Sequence, residues 1–450
     1  MNLDLQAKLT QAIEAAGIPG ASVAVWHGEE ESLAAAGVLN RATGVEATPD
    51  SVFQAGSITK VLTATLLLQL REQGRLDLGD TLGKHLPRMA GTPLEQIPLL
   101  CLLSHRGGIP CDIEDDTGNG ADCISRFVDL LARREVLYPP GLLAAYSNAG
   151  YVLLGAVCEQ VTGRSWDDLL RDNILIPAGM SHSFTQPIEI PRFRAAMGHY
   201  CDAATRQATL VPNVGLPRSG GPGGMTLWAS APDLIRVARA LIDGTPELLS
   251  RPAFAEMLTP QPEAIKLPYS PTYGYAWALG EIDGLKVASH AGATIGQNSL
   301  LWTVPEKRFA VALLTNSGNG IALLGGLLQD IVTACLGVSL PRAQLPSVSP
   351  TPILASALDP QRYVGDYGGG TALFHVRANG NELSVDYERL ARPDSPQTSG
   401  RVLLTPVDGQ VFLSRPADAP GPSLPLQFVT LPGAARPNVL YALGRAYRRL

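Results

Sequence analysis

Apolar and polar positions follow three different rhythms along this chain, and each rhythm predicts its own class of element. A helical period from Leu3 to Ala16, closed by Gly17 and Pro19, predicts an amphipathic helix. "ASVAVWHG" and "ESLAAAGVLN" then read as two strands joined by a "GEE" turn. A long apolar run predicts a helix from Ser57 to about Gln73. From roughly Pro98 to Gly280, helical segments alternate with loops rich in Gly and Pro. Strand patterns return at "LKVASHAG", "NSLLWTVP" and "RFAVALLTNS", and "IALLGGLLQDIVTACLG" reads as a last helix. Strands at both ends with helices between them predict one sheet built from both ends of a domain, with a helical region inserted.

The rhythm changes at "SLPRAQLPSVSPTPIL", a Pro/Ser-rich stretch without period that reads as a linker. Beyond it, "TALFHVRANGNELSVDYE", "RVLLTPVDGQVFLSR", "LQFVTL" and "VLYALG" are short strand-like runs, and the "NGN" and "DG" tracts suit tight hairpins. Such a meander predicts a small β-barrel or curled sheet. The expected division is a first domain over 1–340, a linker over 341–353 and an all-β domain over 354–450.

Composition narrows the classes. Hydrophobic residues make up 45% and charged residues 17%, enough for large cores. A net charge of −6, with no basic stripe, argues against nucleic acid. No apolar stretch approaches the ~20 residues that span a bilayer. The start lacks the cationic leader, apolar run and small-residue cleavage site of an export signal, so the expectation is a cytoplasmic protein. The six cysteines form no C-x-x-C pair and are expected to be reduced, although Cys111 and Cys123 could meet across a loop. No metal and no cofactor is expected. "DIEDDTGNGAD" has acidic spacing but lacks the register and closing glutamate of a calcium loop, and reads as a solvated loop near the mouth of a site.

Three short stretches carry candidate chemistry. At the start of the long apolar helix, Ser57 and Lys60 stand three residues apart, on one helix face, so the ammonium can reach the hydroxyl. A serine hydroxyl is a weak nucleophile that needs a base or a nearby charge, and a helix N-terminus adds free N–H groups that can bind an oxyanion. Tyr146-Ser147-Asn148 precedes a second apolar helix. A tyrosine hydroxyl beside a lysine can carry protons, and an asparagine amide can hold a carbonyl or the lysine. His290-Ala291-Gly292 ends a predicted strand, where glycine lets a substrate backbone approach closely. Trp26, Trp166, Trp228, Trp277 and Trp302 read as core or cleft walls, and His105 and Arg106 as structural residues near the site.

Together with "LLSHRGGIP", "PPGLLAAYSNAGYVLLGAVCEQVTG", "GPGGMTLWASAPDLIRVARAL" and "YGYAWAL", these motifs resemble the serine β-lactamase and penicillin-binding-protein superfamily. The resembling branch is that of class C β-lactamases, DD-peptidases, D-aminopeptidases and related esterases, and it covers roughly residues 10 to 340. The resemblance implies an α/β (α+β) fold with an antiparallel sheet and an inserted helical region. It implies Ser57 as nucleophile, Lys60 and Tyr146 as the proton-handling pair, and Asn148 as support for Lys60 and the substrate amide. It implies an oxyanion hole from the backbone N–H groups of Ser57 and Ala293, substrate approach at Gly292, and His290 where β-lactamases usually carry lysine. Histidine and alanine there remove a cation and a hydroxyl, which puts efficient β-lactam hydrolysis in doubt.

"LDPQRYVGDYGG" resembles the opening of the lipocalin-like barrels attached to D-aminopeptidases and to penicillin-binding-protein-type thioesterases, which release and cyclise nonribosomal peptides. The implied substrate is a peptide or peptidyl thioester with a D-configured residue at the acyl carbon, possible delivery being by a carrier protein. The barrel is expected to shape the mouth without doing chemistry. The alternatives are a promiscuous esterase or a β-lactamase- or D-aminopeptidase-like hydrolase. A non-catalytic penicillin-binding sensor has no need of Ser57, Lys60 and Tyr146 together.

Overall fold

The first helix runs Leu5–Ala16 and starts later than its periodicity predicts, because the Asp4 side chain accepts from the Ala7 N–H and caps it. Gly17 ends it in the left-handed conformation. The computed structural model describes residues 3–110, 113, 115–202, 205–341, 358–370, 372–389, 398–416 and 424–450. Within them the first helix packs on an eight-stranded sheet. Its order is Val45–Glu46, Glu30–Asn40, Gly20–His27, Phe309–Thr315, Gln297–Val304, Leu285–Thr294, Ala278–Ile282 and Thr272–Tyr273.

The expected joining of both ends occurs at the centre of this sheet. Gly20–His27 pairs antiparallel with Phe309–Thr315, from Ala21 opposite Thr315 to His27 opposite Phe309. Alternate side chains then serve two cores. Val23 and Val25 face Leu5, Leu9, Ile13 and Ile331 of the terminal helices. Ala24 and Trp26 face the inserted helical region. All five tryptophans are buried.

Two predicted helices differ in detail. The segment from Ser57 opens as a 3-10 turn over Gly56–Ile58, and the α-helix itself is Thr59–Glu72. Every residue from Thr59 to Leu70 is buried, so this helix sits inside the inserted region rather than on it. The last predicted helix is two, Gly320–Leu323 and Gly325–Leu336, with the break at Leu324 before a Gly-Gly pair of poor helix formers.

Residues 342–357, and with them nearly all of the expected linker, lie outside the described residues, as does Cys111. After them, eight antiparallel strands from Gly365–Gly369 to Arg445–Arg449 close into a barrel in simple chain order. Gly380, at φ 57°, makes the two-residue turn that the "NGN" tract predicts. The barrel interior is filled by side chains that include Tyr363, Tyr367, Phe412 and Phe428.

The barrel does not stand apart. Val429, Leu431, Val439, Tyr441 and Ala446 form one buried cluster with Leu137, Tyr138, Leu143, Ala145 and Leu267. An exposed ion pair, Arg448 with Glu135 at 3.3 Å, adds at most about 1 kcal/mol. Burying one large apolar side chain contributes about 1.5–3 kcal/mol, so the apolar patch dominates this contact. Among the described residues no helix is long and apolar enough to cross a membrane.

Candidate active site

Bare backbone brings Ser57 against the sheet. Gly56 has φ 56°, and a Cβ on it would lie 2.9 Å from the Ala293 amide nitrogen. A Cβ on Gly292 would lie 2.2 Å from both the Ala55 carbonyl oxygen and Ser299 Oγ. Only glycine at these two positions lets the strand Leu285–Thr294 lie beside the serine turn. Ser57 itself is partly exposed.

Lys60 is fully buried, which is costly for an ammonium unless acceptors surround it. Its Nζ donates to Ser57 Oγ at 3.1 Å, to Asn148 Oδ1 at 2.7 Å and to the Gly223 carbonyl. It also lies 4.7 Å from the centre of the Tyr146 ring and 5.7 Å from that of Tyr151. The 3-10 opening of the helix therefore leaves the serine–lysine contact intact.

The Tyr-Ser-Asn stretch delivers its side chains through a helix cap. Ser147 Oγ accepts from the Gly150 N–H at 3.2 Å and starts the helix Asn148–Thr162, which aims Asn148 at Lys60. Tyr146 is held by its main chain. The N–H groups of Ala145 and Ser147 donate to His105, to its carbonyl oxygen at 2.8 Å and its Nδ1 at 3.2 Å. The N–H of Tyr146 donates to the Gly444 carbonyl at 2.8 Å. The His105 ring packs on the tyrosine with centroids 4.3 Å apart, and its backbone is left-handed at φ 58°. His105 thus adjoins the site more closely than a structural reading implies, whereas Arg106 bonds to Ser104 and Pro262 and is structural.

His290 and Gly292 lie in the cleft wall. His290 Nδ1 donates to the Ala291 carbonyl at 2.8 Å, and Nε2 is buried without a hydrogen-bond partner among the described residues. Burial, and secondarily the Lys60 charge, push its pKa down to about 3. The same two causes hold His105 well below the usual histidine range. Both are neutral imidazoles, so the third motif brings no cation to the site.

This neutrality has a cost in acid. The unfolded chain protonates these histidines near their ordinary pKa, about 6.5, while the fold does not. Stability is therefore expected to fall as pH drops below about 6, by about 1.4 kcal/mol per pH unit for each such histidine. Urea midpoints at a series of pH values test this. His290→Asn should flatten the slope between pH 6 and 4, and an unchanged slope would mean that His290 is already charged in the fold.

The cleft in front of Ser57 has a volume of about 890 Å³, at the upper end of the range of small-molecule sites. Ser57, Tyr146, Asn148, His290, Gly292 and Ala293 line it together, so the sequence-predicted residues that reach the cleft converge there, with Lys60 behind them. Gly444, Arg445, Gln427 and Arg389 complete the wall from the barrel. Arg389 and Arg445 are the charged side chains among the described lining residues, and no local motif singles them out.

Comparison with known proteins gives the family. Residues 5–327 match the family described as Beta-lactamase. The chain belongs to the beta-lactamase family. It is 38% identical over 348 residues to penicillin-binding protein 4 of Amycolatopsis lactamdurans, covering 75% of this chain and 91% of that one. The solved structure of SurE matches 99% of this chain and 98% of its own, at 28% identity and a TM-score of 0.83. D-amino acid amidase from Ochrobactrum anthropi SV3 matches 74% of this chain and all of its own (100%), at 26% identity and a TM-score of 0.61. The likeness to SurE therefore extends through the barrel, whereas the amidase spans a smaller share of this beta-lactamase-family serine hydrolase.

Proposed function

We propose that Ser57 is the nucleophile of an acyl-transfer cycle on peptides or peptidyl thioesters with a D-configured residue at the acyl carbon. The observation that carries this reading is the buried Lys60 ammonium, hydrogen-bonded at once to Ser57 Oγ and Asn148 Oδ1. In the first half, Ser57 Oγ bonds to the acyl carbon as its proton moves to the Tyr146 phenolate, which the Lys60 ammonium keeps ionised, and Tyr146 hands that proton to the leaving thiol or amine, whose bond to carbon breaks. In the second half, Tyr146 takes a proton from water or an incoming amine. The new O–C or N–C bond forms, the Oγ–C bond breaks and the proton returns to Ser57.

The backbone N–H groups of Ser57 and Ala293 are the proposed oxyanion donors. Gly292 gives the substrate backbone room at the strand. Asn148 steadies Lys60 and the substrate amide, and His290 acts as a neutral wall. The proposal also divides the chain into a catalytic domain over 1–340 and a barrel domain over 354–450, sets the reaction in the cytoplasm and includes delivery of the acyl group by a carrier protein.

Two similarities support the D-residue substrate. SurE, alike over nearly the whole chain, has also been solved with D-Leu. D-amino acid amidase is similar in structure over 74% of this chain. The test is a pair of synthetic peptidyl thioesters that differ only in the configuration of the C-terminal residue, with linear acid and cyclic peptide resolved as products. Consumption of the D-form alone is expected, and a cyclic product would assign macrocyclising release. Equal rates for both forms, or inertness toward both beside rapid cleavage of simple esters, would favour the esterase alternative.

A further inference from the structure

The tip of one barrel hairpin touches Tyr146 twice. Strands Val439–Ala442 and Arg445–Arg449 are joined by Leu443 and Gly444, at φ 50° and 79°, with Ala442 opposite Arg445. Two left-handed residues in succession make the tight turn that suits strand twist. Leu443 adopts this conformation without the freedom of glycine, and it is 67% exposed, so no packing of its own side chain explains it. The turn sends the Gly444 carbonyl to the Tyr146 N–H. The next residue holds its guanidinium carbon 5.5 Å from the centre of the Tyr146 ring. The footing is firm: Tyr441 and Ala446 of the same hairpin are buried against Leu143 and Ala145, just before the tyrosine.

We propose that this barrel hairpin is a positioning device for Tyr146, in which Gly444 fixes the main chain and Arg445 favours negative charge on the phenol during proton transfer. The inference rests on the proton-carrying role of Tyr146 proposed above. Each time the phenol gives up its proton, ring and oxygen become anionic, and a guanidinium over the ring is attracted more strongly to that state than to the neutral one. Arg445 does not touch the reacting atoms in this reading. It acts through Tyr146, so the barrel contributes to turnover even of substrates too small to reach the rest of it.

The experiment uses the full-length protein and a small neutral ester, p-nitrophenyl acetate, which offers no anion for a guanidinium to hold. Arg445→Gln should lower kcat about tenfold with little change in KM, the size of a partly desolvated cation–π contact. Arg445→Lys should keep most of the rate, and millimolar guanidinium should restore part of it to Arg445→Gln. Gly444→Ala is the second variant. A Cβ there meets nothing within 4 Å, so only the backbone preference of the turn changes, and kcat should again fall at near-constant KM. Thermal unfolding close to that of the parent protein would show both variants folded. Tyr146→Phe is assayed in parallel. If it turns the ester over at the parent rate, the role of Tyr146 itself is wrong. If it is inactive while Arg445→Gln keeps the parent rate on the neutral ester and loses rate only on carboxylate-bearing peptides, Arg445 is a substrate anchor and the inference is overturned.

Discussion

Ser57→Ala should abolish both turnover and covalent labelling while leaving the fold in place. Ser57 Oγ takes one hydrogen bond from Lys60, and the ammonium keeps Asn148 and Gly223 when the hydroxyl is gone. Stability should therefore change by no more than about 1 kcal/mol. The loss of rate should be about a million-fold, the size seen when a serine nucleophile is removed from a working site. Mass spectrometry after treatment with a fluorophosphonate should find one adduct, on the peptide that contains Ser57. An adduct on a different serine, or an active alanine variant, would sink the assignment.

Lys60→Ala and Tyr146→Phe should each cost about 10³- to 10⁴-fold in kcat, and the double variant should be little worse than either alone. Non-additivity is expected because the two groups handle one proton between them, with the ammonium 4.7 Å from the tyrosine ring. The pair also differs in an instructive way. Lys60→Ala leaves the Asn148 and Gly223 oxygens without their buried donor, so it should lose stability as well as rate. Tyr146→Phe keeps the ring against His105 and the main-chain bond to Gly444, so its loss should be almost purely chemical. A double variant as slow as the product of the two single losses would show that the groups act in separate steps.

Much of the site was legible because its parts are local. Ser57 and Lys60 are one turn apart, Tyr146 and Asn148 flank a helix cap, and Gly292 and Ala293 adjoin on one strand. Period separated helices from strands, and the Pro/Ser-rich stretch with the hairpin tracts beyond it set the barrel apart from the sheet. What escaped depends on where distant segments meet. Nothing around Gly444 marks it as the neighbour of Tyr146, because that contact arises only when the barrel docks through the cluster that joins Tyr441 to Leu143. His105 was placed near the site, but its double grip on Ala145 and Ser147 depends on a left-handed backbone that histidine seldom adopts. The Gly56–Ile58 turn likewise reflects a tertiary demand, the approach of Ala293, that outweighs the helix propensity of the stretch.

The filled interior of the barrel bears on how such an enzyme can change. A ring of strands whose middle is occupied by tyrosine and phenylalanine side chains gives over to its own core the space that a cup-shaped transporter keeps for a greasy guest. Its closure also leaves no open edge from which pairing could unravel or recruit a stranger. The middle is thus committed to holding itself together, and variation is confined to the rims. Hairpin tips there can be lengthened, shortened or recharged at little risk to the scaffold. New tastes in substrate can arise by reshaping the lintel over an old doorway, at the tips that stand clear of Tyr146.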